Sequence, residues 1–333
     1  MSVRKNWKRV ARLLSGGILL VSSAELIASE KDWLPEGKWE LEWADEFSGS
    51  GSIDEWYPML GYTPEEYQGK ESKGLRWNGP TEGSAQMYSS KKGNHWLNGE
   101  GQLVIRVVAD KTETNDNGIV VNAAYLQTGY PAAWDSTEPT GVRWEGMFVS
   151  PEDAPLYLVA RVRTDPVVGH STWFAFWLFS QTRSYNDFPE DGTEVDVIEI
   201  AKGEPDYMDQ SFNVANHWSQ SGGSESLQMS AGTDPSSLSF VDVTDTDYHT
   251  YGIEWTQEVM RCYVDGELYY TFTENVPSRP VDMMMLLTME FQVNAWDPNQ
   301  GDGRVSGPYV SDDESVREMS RALVDYVRVY RRQ

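Results

Sequence analysis

The chain has a single cysteine among its 333 residues, Cys262, so no disulfide can close within it. Core packing must hold it folded, with a bound metal as the other available staple. Cys262 falls in an apolar, strand-like run and reads as a small buried side chain. Basic residues are scarce: 27 Lys and Arg stand against 52 Asp and Glu, a net charge of −25. Such a field repels phosphate backbones and anionic membrane surfaces, which excludes nucleic acid as an expected partner. The apolar run near the N-terminus, Leu13–Val21, is too short to span a bilayer comfortably. There is no internal repeat and no low-complexity linker, and helical patterning is nearly missing: only Asp312–Arg321 reads as a helix.

What is present starts with the first 24 residues. Arg4, Lys5, Lys8, Arg9 and Arg12 precede that apolar run, which ends in Ser22, Ser23 and Ala24, the layout of a secretory signal peptide. The chain is therefore expected to be exported, and loss of the segment would carry the net charge from −25 to −30. From about residue 30 to the end the composition is uniform, so one domain is expected over 30–333. Short strand-like runs recur at Trp39–Phe47, Gly101–Val108, Leu156–Thr164, Ser171–Phe179, Val195–Ile200, Tyr248–Trp255, Met260–Val264, Leu268–Thr273, Met283–Phe291 and Leu323–Tyr330. Asp265-Gly266 between two such runs is a hairpin signal, because the tight turn needs positive φ. Many short strands and almost no helix predict an all-β chain, two packed antiparallel sheets in a sandwich or jelly roll. Aromatic residues make up 12 % of the chain, with 14 Trp and 17 Tyr, and exposed rings of this kind stack on sugar faces.

The most informative stretch is Glu194-Val195-Asp196-Val197-Ile198-Glu199-Ile200. Alternation in a strand puts Glu194 and Asp196 on one face and Val195 and Val197 on the other. Strict alternation would then drive Glu199 into the core, where an unpaired carboxylate is too costly. A β-bulge near Val197-Ile198 adds one residue and returns Glu199 to the acidic face. Three carboxylates in a row push at least one pKa upward, which supplies the protonated and ionised pair that glycoside cleavage needs. Glu194 and Glu199 have Cα atoms about 13 Å apart along a strand, so their side chains must lean together. Three acids at fixed spacing also arise by chance about once in so acidic a chain. The pattern by itself leaves a calcium cluster or a solvated strand face open.

The stretch resembles the E-x-D-x-x-E signature of glycoside hydrolase family 16 in its bulged form. Trp43–Phe47, Gly101–Ile105, Tyr157–Val162, the Trp173–Trp177 strand, Tyr248–Trp255, the Asp265-Gly266 hairpin and Val324–Tyr330 follow the family's order over most of the chain. The resemblance implies a bent β-jelly-roll with a concave cleft, Glu194 as nucleophile, Asp196 as its helper and Glu199 as acid/base. It implies an endo-acting, retaining enzyme on a polysaccharide, with Trp177 as a sugar platform. It further implies a structural calcium held by the carbonyls of Glu46 and Gly101 and the side chain of Asp325, with no cofactor for catalysis. Met283–Glu290, followed by Trp296 and a long insertion, resembles the agarase, porphyranase and carrageenase branch, so red-algal galactan is the expected substrate. The alternatives are a β-1,3-glucan of the laminarin type, or a lectin without turnover. Trp173, His217, Trp218, Glu290, Trp77 and Trp144 are candidates to line the cleft, and Arg76, Arg143, Arg183 and Arg304 to meet sulfates. A monomer is expected.

Overall fold

The computed structural model describes residues 33–48, 53, 56–58, 86–88, 93–115, 118–134, 142–151, 154–166, 172–180, 194–202, 211–218, 224–230, 247–278, 283–291 and 316–333. The basic and apolar segment 1–24 lies outside them, as do Arg76, Trp77, Arg183, Trp296 and Arg304. The described elements are strands: β1 (Trp39–Asp45), β2 (Tyr57–Pro58), β3 (Gln86–Tyr88), β4 (His95–Leu97), β5 (Leu103–Asn115) and β6 (Gly118–Gln127). There follow β7 (Gly129–Trp134), β8 (Val142–Gly146), β9 (Leu156–Pro166), β10 (Thr172–Ser180), β11 (Glu194–Lys202) and β12 (Ser211–His217). The last are β13 (Ser224–Ser230), β14 (His249–Trp255), β15 (Met260–Val264), β16 (Glu267–Phe272), β17 (Met283–Phe291) and β18 (Val316–Arg332).

Hydrogen-bonded neighbours run β13-β12-β11-β10-β17-β6-β5-β18-β9-β14-β15-β16. The turning point is β6, whose Val120–Asn122 pair with β5 and whose Ala124–Gln127 pair with β17. Strands on either side of it face one another across a single core. Phe174, Phe176, Leu178, Val195, Met285 and Leu287 come from one layer, and Leu158, Ile253, Cys262, Val324 and Val327 from the other. This is the all-β jelly-roll sandwich that the strand pattern predicts, and it occupies the compact unit Pro35–Gln333.

Alternation explains most of the elements. On β10, Phe174, Phe176 and Leu178 are buried in the core while Trp173 and Trp177 are half-buried on the other face. On β15, buried Met260, Cys262 and Val264 alternate with Arg261 and Tyr263, and burial pushes the Cys262 thiol pKa up. The Asp265-Gly266 turn has φ of 48° and 79°, with Val264 paired to Glu267. Aspartate is favoured there twice over, since its carboxylate also meets His249 Nδ1 at 2.6 Å and accepts from Thr250 N at 2.8 Å.

One expectation fails. The helix read over Asp312–Arg321 is, from Val316 onward, the first part of β18. That segment pairs with β5 on one side and, from Ser320, with β9 on the other. Two flanking ladders outweigh a weak local helical pattern, because an interior strand must satisfy its backbone on both edges. Within it Glu318 pairs with Arg321 at 2.5 Å and also receives Arg106 from β5 at 2.8 Å.

Candidate active site

The acidic strand is β11, and its kink sits where the core demanded one. Against β12, Asp196 pairs with Ala215 and Glu199 with Asn213, so three steps on β11 match two on β12. Against β10, Phe176 pairs with Ile198 and Trp177 with Asp196, which leaves Val197 as the extra residue. The bulge lets two consecutive apolar residues enter the core: Val195, Val197, Ile198 and Ile200 are all buried there. Glu194, Asp196 and Glu199 are left on the opposite face together.

The register of the neighbouring strands fixes what surrounds them. In the row of Glu199, the residues across the sheet are Asn213 on β12, Ala175 on β10, Thr288 on β17 and Tyr125 on β6. In the row of Asp196 they are Ala215, Trp177, Leu286 and Gln127. In the row of Glu194 they are His217, Phe179 and Met284. Asn213 and Ala175 therefore flank Glu199, Asp196 lies between Ala215 and Trp177, and Tyr125, Leu286 and Met284 bring apolar bulk from β6 and β17. Trp177 meets Tyr125 edge-on at 5.7 Å and Phe179 at 6.0 Å. Trp144, from β8, packs on the same patch beside Ala123, Tyr125, Met284 and Leu286.

Each carboxylate has company. His217 Nε2 lies 3.2 Å from Asp196 Oδ2 and 3.8 Å from Glu194 Oε1. Donor atoms of these three residues fall within 4.8 Å of one another, a spacing that a divalent cation could bridge. Asn213 Nδ2 donates to Glu199 Oε2 at 2.5 Å. Burial and the Asp196 charge push the Glu199 carboxyl well above the usual carboxylate range. Glu194 and Glu290 add to that push, while the Asn213 N–H opposes it. These surroundings favour the protonated form of Glu199.

Of the residues expected to line the cleft, Trp173, Trp177, Trp144, His217 and Glu290 are brought to this face. Glu290 is buried and pairs in register with Trp173. Trp218 follows β12 directly and is half-buried. Arg143 is exposed and paired with Glu145 at 3.3 Å. Sequence reasoning missed Asn213, Tyr125, Phe179 and Thr288, because their positions depend on strand register and no local pattern marks them.

The expected calcium donors lie on or beside β1, β5 and β18. β5 is paired to β18 up to Val324, and β1 takes over from Val327, so Asp325 sits where the partners change. Glu46 follows the end of β1 and Gly101 precedes β5, at this same junction. Both chains bend here, with φ of 46° at Phe47 and 89° at Gly101. Arg161 Nη1 holds the Asp325 carboxylate at 2.5 Å, and Arg328 holds both carboxylate oxygens of Glu46, whose carbonyl is the expected donor. A cation at Asp325 would have to share its carboxylate with the Arg161 guanidinium.

Comparison with known proteins gives the family and the fold. A family model described as "Glycosyl hydrolases family 16" matches residues 112–313. A β-glucanase of Rhodothermus marinus is 27 % identical over 342 residues, covering 99 % of this chain and 97 % of that one. A keratan-sulfate endo-1,4-β-galactosidase of Sphingobacterium multivorum is 26 % identical over 298 residues, covering 88 % of this chain and 55 % of that one. Among solved structures, the endo-β-1,3-glucanase of Pyrococcus furiosus superposes with a TM-score of 0.54 at 21 % identity, over 89 % of this chain and 95 % of that one. At that identity the superposition establishes the fold alone.

Proposed function

The chain belongs to family 16 of the glycosyl hydrolases and is an endo-acting glycoside hydrolase on a polysaccharide, and from that premise we propose a retaining endo-β-glucanase cutting β-1,3- or mixed β-1,3/1,4-linked glucan. The observation that carries the mechanism is the bulge at Val197, which puts Glu199 on the face of Glu194 and Asp196. Glu194 attacks the anomeric carbon as the bond to the leaving sugar breaks. Glu199 gives its proton to the departing oxygen. Water then attacks the glycosyl ester, passes a proton to Glu199 and frees Glu194. Asp196, with His217 at its Oδ2, keeps the nucleophile oriented between them. Trp177 and Trp144 supply apolar faces for the sugar rings. The signal-like N-terminus supports export of the enzyme to its substrate.

Glucan takes precedence over the galactan expected from Met283–Glu290 because the full-length relative is named a β-glucanase. Galactan stays as the second reading on one observation, the galactosidase that is 26 % identical over 88 % of the chain. Reducing-end release from laminarin, mixed-linkage glucan, agarose, porphyran, carrageenan and keratan sulfate, run side by side, should give product with the first two. Product from a galactan alone would overturn the glucanase reading.

We also propose a structural cation at the Glu46, Gly101 and Asp325 junction. Bound calcium would stabilise the native chain by about 2.7 kcal/mol at a hundredfold excess over its dissociation constant. Chelation should then lower the melting temperature of the wild type by several degrees and leave Asp325→Ala unchanged. Equal melting with and without chelator in the wild type would remove the site.

A further inference from the structure

The geometry points to Asn213 as a positioning residue that dictates which oxygen of Glu199 carries the transferable proton. This rests on the reading of Glu199 as acid/base. Asn213 is the register partner of Glu199 on β12, and its Nδ2 donates to Oε2 at 2.5 Å. An amide N–H is a donor only, so the oxygen it meets must accept. In a neutral carboxyl the carbonyl oxygen is the stronger acceptor, so this contact favours Oε2 as the carbonyl and places the hydroxyl hydrogen on Oε1. The opposite amide orientation would let Asn213 Oδ1 take the proton at Oε2 and hold it away from the substrate. Oδ1 is instead buried with no hydrogen-bond partner among the described residues. An unpaired buried acceptor is a standing cost, tolerated here while the other end of the amide is engaged.

The same contact acts again after transfer. Once Glu199 has lost its proton, charge builds on the carboxylate and the bond from Nδ2 becomes charge-assisted. The groups around Glu199 otherwise favour neutrality. Glu194 and Asp196 lie on its own strand and Glu290 on β17, and all three act on it as like charges. His217 on β12 is committed to Asp196 and Glu194, and the buried Tyr269 phenol on β16 also senses Glu199. Ala175, its partner on β10, carries no charge. Asn213 is thus the contact that favours the ionised form and lets Glu199 return from base to acid within one turnover.

The test is the pH profile of kcat/KM on whichever polysaccharide the enzyme cleaves, for wild type, Asn213→Ala, Asn213→Gln and Glu199→Gln. Loss of a hydrogen bond to the charged form raises the pKa of an acid. The basic limb of Asn213→Ala should therefore move upward by about one to two pH units. Activity at the optimum should fall about tenfold to a hundredfold, the order of one well-placed proton-transfer contact. Asn213→Gln, which keeps the donor, should bring the limb back toward wild type. On an aryl glycoside whose leaving group needs no proton, Asn213→Ala should lose far less. A basic limb that stays in place or moves down in Asn213→Ala overturns the proposal, even if folding and kcat suffer. Failure of the underlying reading looks different: Glu199→Gln would then turn over the polysaccharide at the wild-type rate.

Discussion

Glu194→Gln is expected to lower turnover by about 10³-fold or more, the equivalent of at least about 4 kcal/mol of transition-state stabilisation. Glutamine has the shape of the native side chain and can still face His217, but its amide cannot form the glycosyl ester. Binding should survive, because the apolar patch of Trp177, Trp144 and Phe179 is untouched. Reducing-end release measured beside calorimetric titration with an oligosaccharide separates the two effects. A sharper form uses Glu194→Ala with added azide, which reaches the anomeric carbon directly and should return a glycosyl azide of inverted configuration. Glu199→Ala with azide should instead give the retained one, since the ester at Glu194 forms first. The reverse pattern would exchange the two roles, and turnover within tenfold of wild type in Glu194→Gln would remove Glu194 from the mechanism.

Glu199→Gln carries the second large effect, a fall of about 10²–10⁴-fold on the natural polysaccharide. The loss should shrink on substrates with good leaving groups, because protonation of the departing oxygen then matters little. The same substitution has a consequence for stability. The native carboxyl sits well above its usual range, owing to burial and the Asp196 charge, whereas the unfolded chain ionises near pH 4.3. Between those two points the native state binds the proton and the unfolded state does not, so stability falls as pH rises. Below about pH 4 both states are protonated and nothing is lost. Glu199→Gln should therefore melt like wild type near pH 4 and at a higher temperature at pH 8. Identical melting at both pH values would contradict the environment described for this carboxyl. A gain in stability with a loss of activity is the usual mark of a group kept for chemistry.

Much of this site could be read from the chain before any coordinates. Glu199 is the clearest case. Alternation alone would have buried it, the cost of a buried charge forbade that, and the bulge with Val197 as the extra residue is the resolution. The Asp265-Gly266 turn was legible for a similar reason, since few residues accept positive φ twice in succession. The stretch from Val316 to Arg321 was misread as helix because its partners, β5 and β9, lie far away in sequence. For substrate class, the relatives favour the glucan alternative over the galactan read from Met283–Glu290. Met283–Glu290 are buried in a central strand, with Met283, Met285, Leu287 and Met289 facing the core, so much of this composition answers to packing.

The division has one physical cause. Solvation and backbone sterics act within a few residues, so sequence alone determined an all-β fold, the face on which the acids stand and the need for a kink between Asp196 and Glu199. Register between strands distant in the chain is a property of the packed sheet. Only the tertiary structure could set Asn213 against Glu199, His217 against Asp196, and Trp144 beside Trp177 on one apolar patch.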